Sequence, residues 1–174
     1  MNSVSGYKIG DTGLGGGKVF YDKGNNSGGW RYLEVASENM TTETTHWGSG
    51  IAKISGTKTA VGTGKKNTYL ILEKDPYASA AKACVNYRGG GKDDWFLPSK
   101  DELNELYKVR DIVGITPSDF FHFEYSEDFQ ALDCFWSSSQ GEREKNAWIQ
   151  SFKCGSQETI YILHCIYVRA IRAF

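Results

Sequence analysis

The sequence predicts an α+β fold that is rich in loops, with short antiparallel strands and two or three helices. Helical patterns cluster in the middle of the chain and strand patterns occupy both ends, instead of alternating as in βαβ units. The 174 residues include 20 glycines against 3 prolines, which suits tight turns, and 14% aromatic residues, which suits a core of packed rings. We expect one domain over residues 1–174, a length that can bury one sizeable core.

The first third of the chain contains strand and turn patterns. Residues 7–9 and 18–21 are predicted strands on either side of a glycine-rich turn, and residues 22–29 form a second strong turn signal. Residues 30–35 then form the next predicted strand. Residues 40–64 are rich in Thr, Gly and Ser, and predict a long loop with little regular structure.

Helix signals occupy the middle of the chain. Three helices are predicted, over residues 67–73, 79–87 and 100–109. The last is the clearest, because Ser99 is a candidate N-cap and Glu102, three residues later, completes a capping box. Leu103, Leu106 and Tyr107 share one face of this helix, which is therefore expected to be buried.

The end of the chain returns to strand patterns after a Phe-rich loop over residues 114–132. Four short strands are predicted, over residues 135–138, 147–152, 159–162 and 167–174. We expect the helix at 100–109 to pack on sheet elements that both chain ends form. The two termini should then lie close together.

Charge and hydropathy exclude several classes of partner. Lys and Arg number 20, and Asp and Glu 21, so the net charge of −1 creates no overall field that would attract nucleic acid. No apolar run approaches the roughly 20 residues that span a bilayer. Residues 1–6 lack the apolar region of a signal peptide. We expect no nucleic-acid partner and no transmembrane segment in this chain.

The four cysteines do not form a recognisable framework. Cys84, Cys134, Cys154 and Cys165 have no CxxC spacing and allow three full pairings, among which the sequence does not choose. Their density is too low for a disulfide scaffold. We interpret at least Cys84 as a free thiol in the core.

The glycine-rich stretch 13–18 lacks the details of a phosphate-binding loop. Thr12 stands where a P-loop has its first glycine, and Val19 replaces the Ser or Thr that holds Mg²⁺. The three histidines lie far apart, and the sequence contains no calcium loop and no nucleophile elbow. We therefore expect a tight turn at 13–18, no metal, no cofactor and no catalytic residue.

Several blocks of the sequence resemble a known bacterial family. The most specific reads DWFLPSKDEL, at residues 94–103. The others are residues 9–17, 19–22, 29–36, 135–139, 147–152 and 168–174. In this order they are similar to the C-type-lectin-like family that includes formylglycine-generating enzyme and the C-terminal domain of the Legionella collagen-like protein. The resemblance implies a C-type-lectin-like fold and a binding function. It also implies a location at the cell surface or outside the cell, a lipoprotein anchor included.

The segment 135–174 resembles the variable proteins of diversity-generating retroelements more closely, the Treponema variable protein among them. In that group, mutagenesis directed at adenines rewrites chosen codons near the C-terminus. An Asn codon altered in this way yields Ile, Tyr, Leu, His, Cys, Thr or Ser, which fill much of residues 156–167. Glu142, Lys153 and Glu158 do not follow from such changes. The resemblance implies a variable ligand-binding segment at 135–174.

Two interpretations of the apolar octet 160–167 remain open. Burial preferences favour a buried strand, whereas the resemblance implies an exposed binding surface. Under the second interpretation, the core comes from Trp136, Trp148, Phe152, Val168 and Ile171. The predicted ligand-binding residues, expected to be exposed on one face, are Arg143, Ile149, Ser151, Lys153, Cys154, Ser156, Thr159, Ile160, Tyr161, Leu163, His164, Cys165 and Tyr167.

Three functions fit these patterns. The first is a module that binds a protein or carbohydrate ligand through the tail, without enzymatic activity. The second is an adhesin that binds carbohydrate or glycosaminoglycan on the same fold. The third is an oxidase of the formylglycine-generating type, for which Cys154 and Cys165 are the only close pair of cysteines.

Overall fold

The structure, a computed structural model, describes residues 6–40, 45–50, 53–115 and 133–174. These residues form α-helices and two small antiparallel sheets, which confirms the predicted α+β class. The predicted loop over 114–132 lies almost wholly outside the described residues. No helix in the described ranges is long and apolar enough to cross a bilayer.

The elements follow the predicted order, with small shifts in their bounds. In chain order they are β1 (Lys18–Asp22), β2 (Tyr32–Val35), α1 (Gly64–Lys74), α2 (Ser79–Asn86), α3 (Lys100–Lys108), α4 (Arg110–Val113), β3 (Cys134–Gln140), β4 (Asn146–Ser151), β5 (Gln157–Tyr161) and β6 (Ile171–Ala173). The one-turn helix α4 was not predicted, and β6 is shorter than the strand predicted at 167–174.

The first sheet joins the two ends of the chain. Its strand order is β1-β2-β6, and Val35 pairs with Lys18 on one side and with Ile171 on the other. The rings of Tyr7 and Phe174 lie edge to face, 5.2 Å between centroids. The predicted proximity of the chain ends is therefore confirmed for the described residues.

The strand predicted at residues 7–9 is wrong. This segment enters a turn instead, because the Asp11 amide donates to the Lys8 carbonyl (3.1 Å) and Lys8 N–H donates to the Asp11 carboxylate (2.8 Å). The neighbouring Tyr7 contributes its ring to an aromatic cluster with Tyr32 and Phe174.

The second sheet carries the C-terminal segment. Its strand order is β3-β4-β5, with Ala147 opposite Ile160 and Trp148 opposite Thr159. Helix α3 packs on β1, β3 and β4 and so bridges the two sheets. This arrangement confirms that the helix predicted at 100–109 packs on strands from both chain ends.

The predicted capping box at α3 is present. The Glu102 amide donates to Ser99 Oγ (3.3 Å), and the Ser99 amide donates to the Glu102 carboxylate (2.7 Å). The same carboxylate accepts the Gly62 amide (2.7 Å) and a hydrogen bond from Gly64 at the start of α1. Burial raises the pKa of Glu102 although these amides oppose the shift. One carboxylate thus caps two helices, which explains why α1 starts earlier than predicted.

In the described ranges, the core consists of two clusters of buried side chains. Trp47, Trp95 and Trp136 dominate one, and the other centres on Phe135 and Tyr167. Of the five predicted core residues, four are buried: Trp136, Phe152, Val168 and Ile171. Cys84 is a buried free thiol, as predicted.

The glycine-rich turn binds a carboxylate of the protein itself. The buried Glu34 side chain accepts the amides of Gly15 (2.8 Å) and Gly17 (3.2 Å). It also pairs with Arg172 Nη1 at 2.9 Å, and Arg172 bonds Asp94 as well. A Cβ on Gly17 would lie 2.2 Å from the Val35 carbonyl oxygen, so only glycine fits there. The glycines therefore form an internal anion site that ties β2 to β6.

Candidate ligand-binding surface

The thirteen predicted ligand-binding residues fall into three classes of exposure. The exposed ones are Arg143, Lys153, Cys154, Ser156, Tyr161, Leu163, His164 and Cys165. The half-buried ones are Ser151 and Thr159. The buried ones are Ile149, Ile160 and Tyr167.

The predicted exposure of Ile149, Ile160 and Tyr167 is wrong. These side chains are 5%, 7% and 1% exposed, respectively. The two isoleucines belong to the same core cluster as Trp136, and the Tyr167 ring packs against Phe135, 6.4 Å between centroids. The octet 160–167 is therefore neither wholly core nor wholly surface.

The predicted burial of Trp148 is also wrong, because this side chain is half-exposed. It lies on the face of β4 that is opposite to Ala147, and it sits directly across from Thr159 on β5. The Lys100 ammonium lies 4.3 Å from the centre of one of its rings. Trp148 thus belongs to the surface that the tail forms.

The exposed residues lie in two groups, at opposite ends of β4. Arg143 lies in the turn before β4, and Tyr161 pairs with Asn146 at the same end of that strand. Lys153, Cys154 and Ser156 lie in the turn that follows β4. The six residues of β4 span five steps of about 3.3 Å, so the two ends of the strand lie roughly 17 Å apart.

We define the tail surface as the residues around Arg143 and Tyr161, at the end of the sheet where β4 begins and β5 ends. Its members are Arg143, Trp148, Thr159, Tyr161, Leu163, His164 and Cys165. In β5, Thr159 and Tyr161 point to the same side as Trp148, since alternate residues share a face. The His164 ring meets Tyr161 edge-on at 6.3 Å.

The backbone beneath the tail surface is anchored at Ile162 and at Ile166, on either side of the exposed residues 163–165. The Ile162 amide donates to Lys145 O (2.9 Å), and Ile162 O accepts the Trp47 amide (2.9 Å). Ile166 and Thr45 exchange two further hydrogen bonds. Because Ile162 and Ile166 are also buried, the exposed side chains between them are presented from a fixed position.

His46 is a neighbour of the tail surface that sequence reasoning missed. It is exposed, and its Nδ1 lies 3.9 Å from Cys165 Sγ. The pairing of Thr45 with Ile166 brings it there from a distant part of the chain. No local pattern signals such a contact.

The turn after β4 contains an exposed free thiol, Cys154, which lies beside two hydroxyl groups. Cys154 Sγ is exposed and lies 3.3 Å from Ser151 Oγ and 3.4 Å from Ser156 Oγ. Hydrogen bonds from these hydroxyls stabilise the thiolate and lower the pKa of Cys154 to about 7. Burial raises the pKa of Cys134, on the neighbouring strand, to about 12.

We expect Cys154 to react with iodoacetamide at a rate that rises with pH around an inflection near 7, since the thiolate is the nucleophile. Ser156→Ala should move the inflection to higher pH by removing one hydrogen bond to the thiolate. Mass spectrometry of alkylated peptides gives the rate at each pH. Cys84, whose pKa burial raises, is the internal control and should stay unmodified. An unchanged inflection in Ser156→Ala would contradict the assigned cause.

Cys154 and Cys165 do not form a bonded pair. All four cysteines are free, and these two lie in different turns, one before β5 and the other after it. Within the described ranges, no group of three or more His, Cys, Asp or Glu side chains is placed to hold a metal ion.

The chain matches no protein-family model and no curated protein sequence.

Proposed function

We propose that the chain is a ligand-binding module with a C-type-lectin-like fold, at the cell surface or outside the cell, and that the tail surface contacts the ligand. One observation carries the proposal: core and surface side chains alternate within a single short segment. Ile160, Ile162 and Ile166 anchor the segment in the core, and Tyr161 and Leu163 remain exposed between them.

The separation of buried and exposed positions in this segment supports a surface whose side chains can change without loss of the fold. Exposed positions away from special features tolerate substitution within about 0.5 kcal/mol, whereas buried ones do not. The exposed members include His, Cys and Tyr, which are among the residues that altered Asn codons yield. The segment thus meets the physical requirement for a diversified tail.

The composition of the tail surface favours a protein ligand. Trp, Tyr and Arg are the residue types most enriched among those that dominate binding energy, and Trp148, Tyr161 and Arg143 supply one of each. Exposed Glu142 and Glu144 add polar groups beside them, as in the rim of a protein interface.

The proposal is tested with a tail variant, Arg143→Ala/Tyr161→Ala/Leu163→Ala, and a matched control, Arg88→Ala/Leu14→Ala/Ile112→Ala. Both triple variants remove one exposed Arg and two exposed apolar side chains. Arrays of extracellular proteins and of glycans are probed with the wild type and with both variants. We expect to find protein ligands that bind the control as tightly as the wild type. The Kd of these ligands for the tail variant should be higher by at least about tenfold, or 1.4 kcal/mol.

Two other outcomes would contradict the proposal. Ligands that both variants bind equally would place the binding surface elsewhere. Specific binding to glycans alone would replace the protein ligand with the carbohydrate alternative. Thermal melts of both variants establish that each is folded before the arrays are compared.

A further inference from the structure

A second candidate binding site lies between α1 and the β1-β2-β6 sheet. It is a pocket of about 470 Å³ that shares no residue with the tail surface. The residues that determine its chemistry are Trp30, Leu33, Lys65, Lys66, Tyr69 and Phe96. Sites for small molecules occupy about 300–1,000 Å³ and combine an apolar lining with a few polar groups, and this pocket meets both criteria.

Aromatic and apolar side chains form the body of the pocket. Leu33 and Phe96 are buried in the second core cluster, while Trp30 is half-buried and Tyr69 is 53% exposed on α1. The floor therefore belongs to the core, and two rings line the more open part. Such a lining suits a flat ring, because aromatic rings pack well edge to face or offset.

The charged groups of the pocket favour an anion. Lys65 and Lys66 are exposed neighbours on the first turn of α1, and no carboxylate in the described parts of the chain pairs with either. Outside the lining, the Lys23 ammonium lies 3.8 Å from the centre of the Trp30 ring and donates to the Ser27 carbonyl.

Among the described residues that line the pocket there is one carboxylate, that of Glu102, and its oxygens already accept hydrogen bonds. Its oxygens accept the amides of Ser99 and Gly62, both at 2.7 Å. It is also fully buried. The groups that remain to pair with a charged ligand are therefore the ammonium groups of Lys65 and Lys66.

We propose that this pocket binds a small aromatic anion. The ring packs against Trp30 and Tyr69, and the acidic group, a carboxylate, sulfate or phosphate, pairs with Lys65 and Lys66. A ligand with a cationic group would meet like charges at the same position. The proposal is independent of the tail surface, which a different part of the molecule forms.

Three probes that share the naphthalene ring and differ in charge test the proposal on the intact protein: 2-naphthoate, neutral 2-naphthamide and cationic 2-naphthylmethylammonium. Binding is measured by titration calorimetry and located by amide chemical shifts in NMR spectra. We expect naphthoate to bind more tightly than the amide, and the amide more tightly than the cation. Shifts should concentrate at Gly62, Lys66 and Ala173, which line the pocket.

Lys65→Gln/Lys66→Gln should weaken naphthoate about fivefold to tenfold, because two exposed charge pairs are removed, and should leave the amide unchanged. Tyr69→Ala should weaken all three probes. The matched control, Lys53→Gln/Lys82→Gln, removes two other exposed lysines and should change nothing.

Several results would overturn the proposal. They are equal affinity for the acid and the amide, an unchanged Kd in Lys65→Gln/Lys66→Gln, shifts concentrated outside the pocket, or no binding at millimolar probe. All the substituted side chains are exposed, so loss of folding does not obscure the result.

Discussion

Glu34→Ala should lower the free energy of unfolding by about 3–5 kcal/mol, the cost of leaving a buried charge without its partner. The Glu34 carboxylate is fully buried, pairs with Arg172 at 2.9 Å and accepts two amides from the glycine-rich turn. Its loss removes one of the two carboxylates that Arg172 bonds in the described residues and leaves the other, Asp94. It also leaves the Gly15 and Gly17 amides without their acceptor.

Chemical denaturation measures this effect, with Glu142→Ala as the control. Glu142 is an exposed Glu, and its loss should change the unfolding free energy by no more than about 0.5 kcal/mol. Glu34→Gln should cost less than Glu34→Ala, because the amide oxygen can still accept one hydrogen bond. Equal effects of Glu34→Ala and Glu142→Ala would show that the internal anion site does not stabilise the fold.

The tail provides the second large effect, in a comparison of matched residues. Tyr167→Ala should cost about 3–5 kcal/mol and Ile160→Ala about 2–5 kcal/mol, the range for large side chains removed from a core. Tyr161→Ala and Leu163→Ala should each cost less than about 1 kcal/mol. The two tyrosines lie in one short segment but are 1% and 43% exposed.

Denaturation curves of the four single variants test this division. Tyr167 is compared with Tyr161, and Ile160 with Leu163. The two side chains of each pair are chemically alike, so side-chain chemistry alone does not explain a difference in the free energy of unfolding. If Tyr161→Ala unfolds the protein as readily as Tyr167→Ala, the exposed side chain is part of the core. Substitutions in the tail surface would then destabilise the fold, so these positions could not vary freely.

Local patterns were sufficient to predict much of the fold. The capping box of Ser99 and Glu102 placed the start of α3, because its signal lies within four residues. Turn and strand signals gave most strands of both sheets. The strand predicted at 7–9 failed because the turn around Lys8 and Asp11 satisfies that backbone instead.

Long-range contacts account for what the sequence did not predict. Strand register decides which face a side chain occupies, and the pairing of Ala147 with Ile160 places Trp148 on the opposite, more open face. The octet 160–167 has no single period, because a turn at 161–165 interrupts the strand. The pocket beside α1 combines residues from distant segments, so no motif marks it.

The most direct test of the central claim compares two displayed libraries of this protein by protease resistance. One library randomises four exposed positions, namely Tyr161, Leu163, His164 and Cys165. The other randomises four buried positions, namely Ile160, Ile162, Ile166 and Tyr167. We predict that most clones of the first library are folded and that few of the second are. Similar folded fractions in the two libraries would contradict the claim that the tail separates positions for binding from positions for folding.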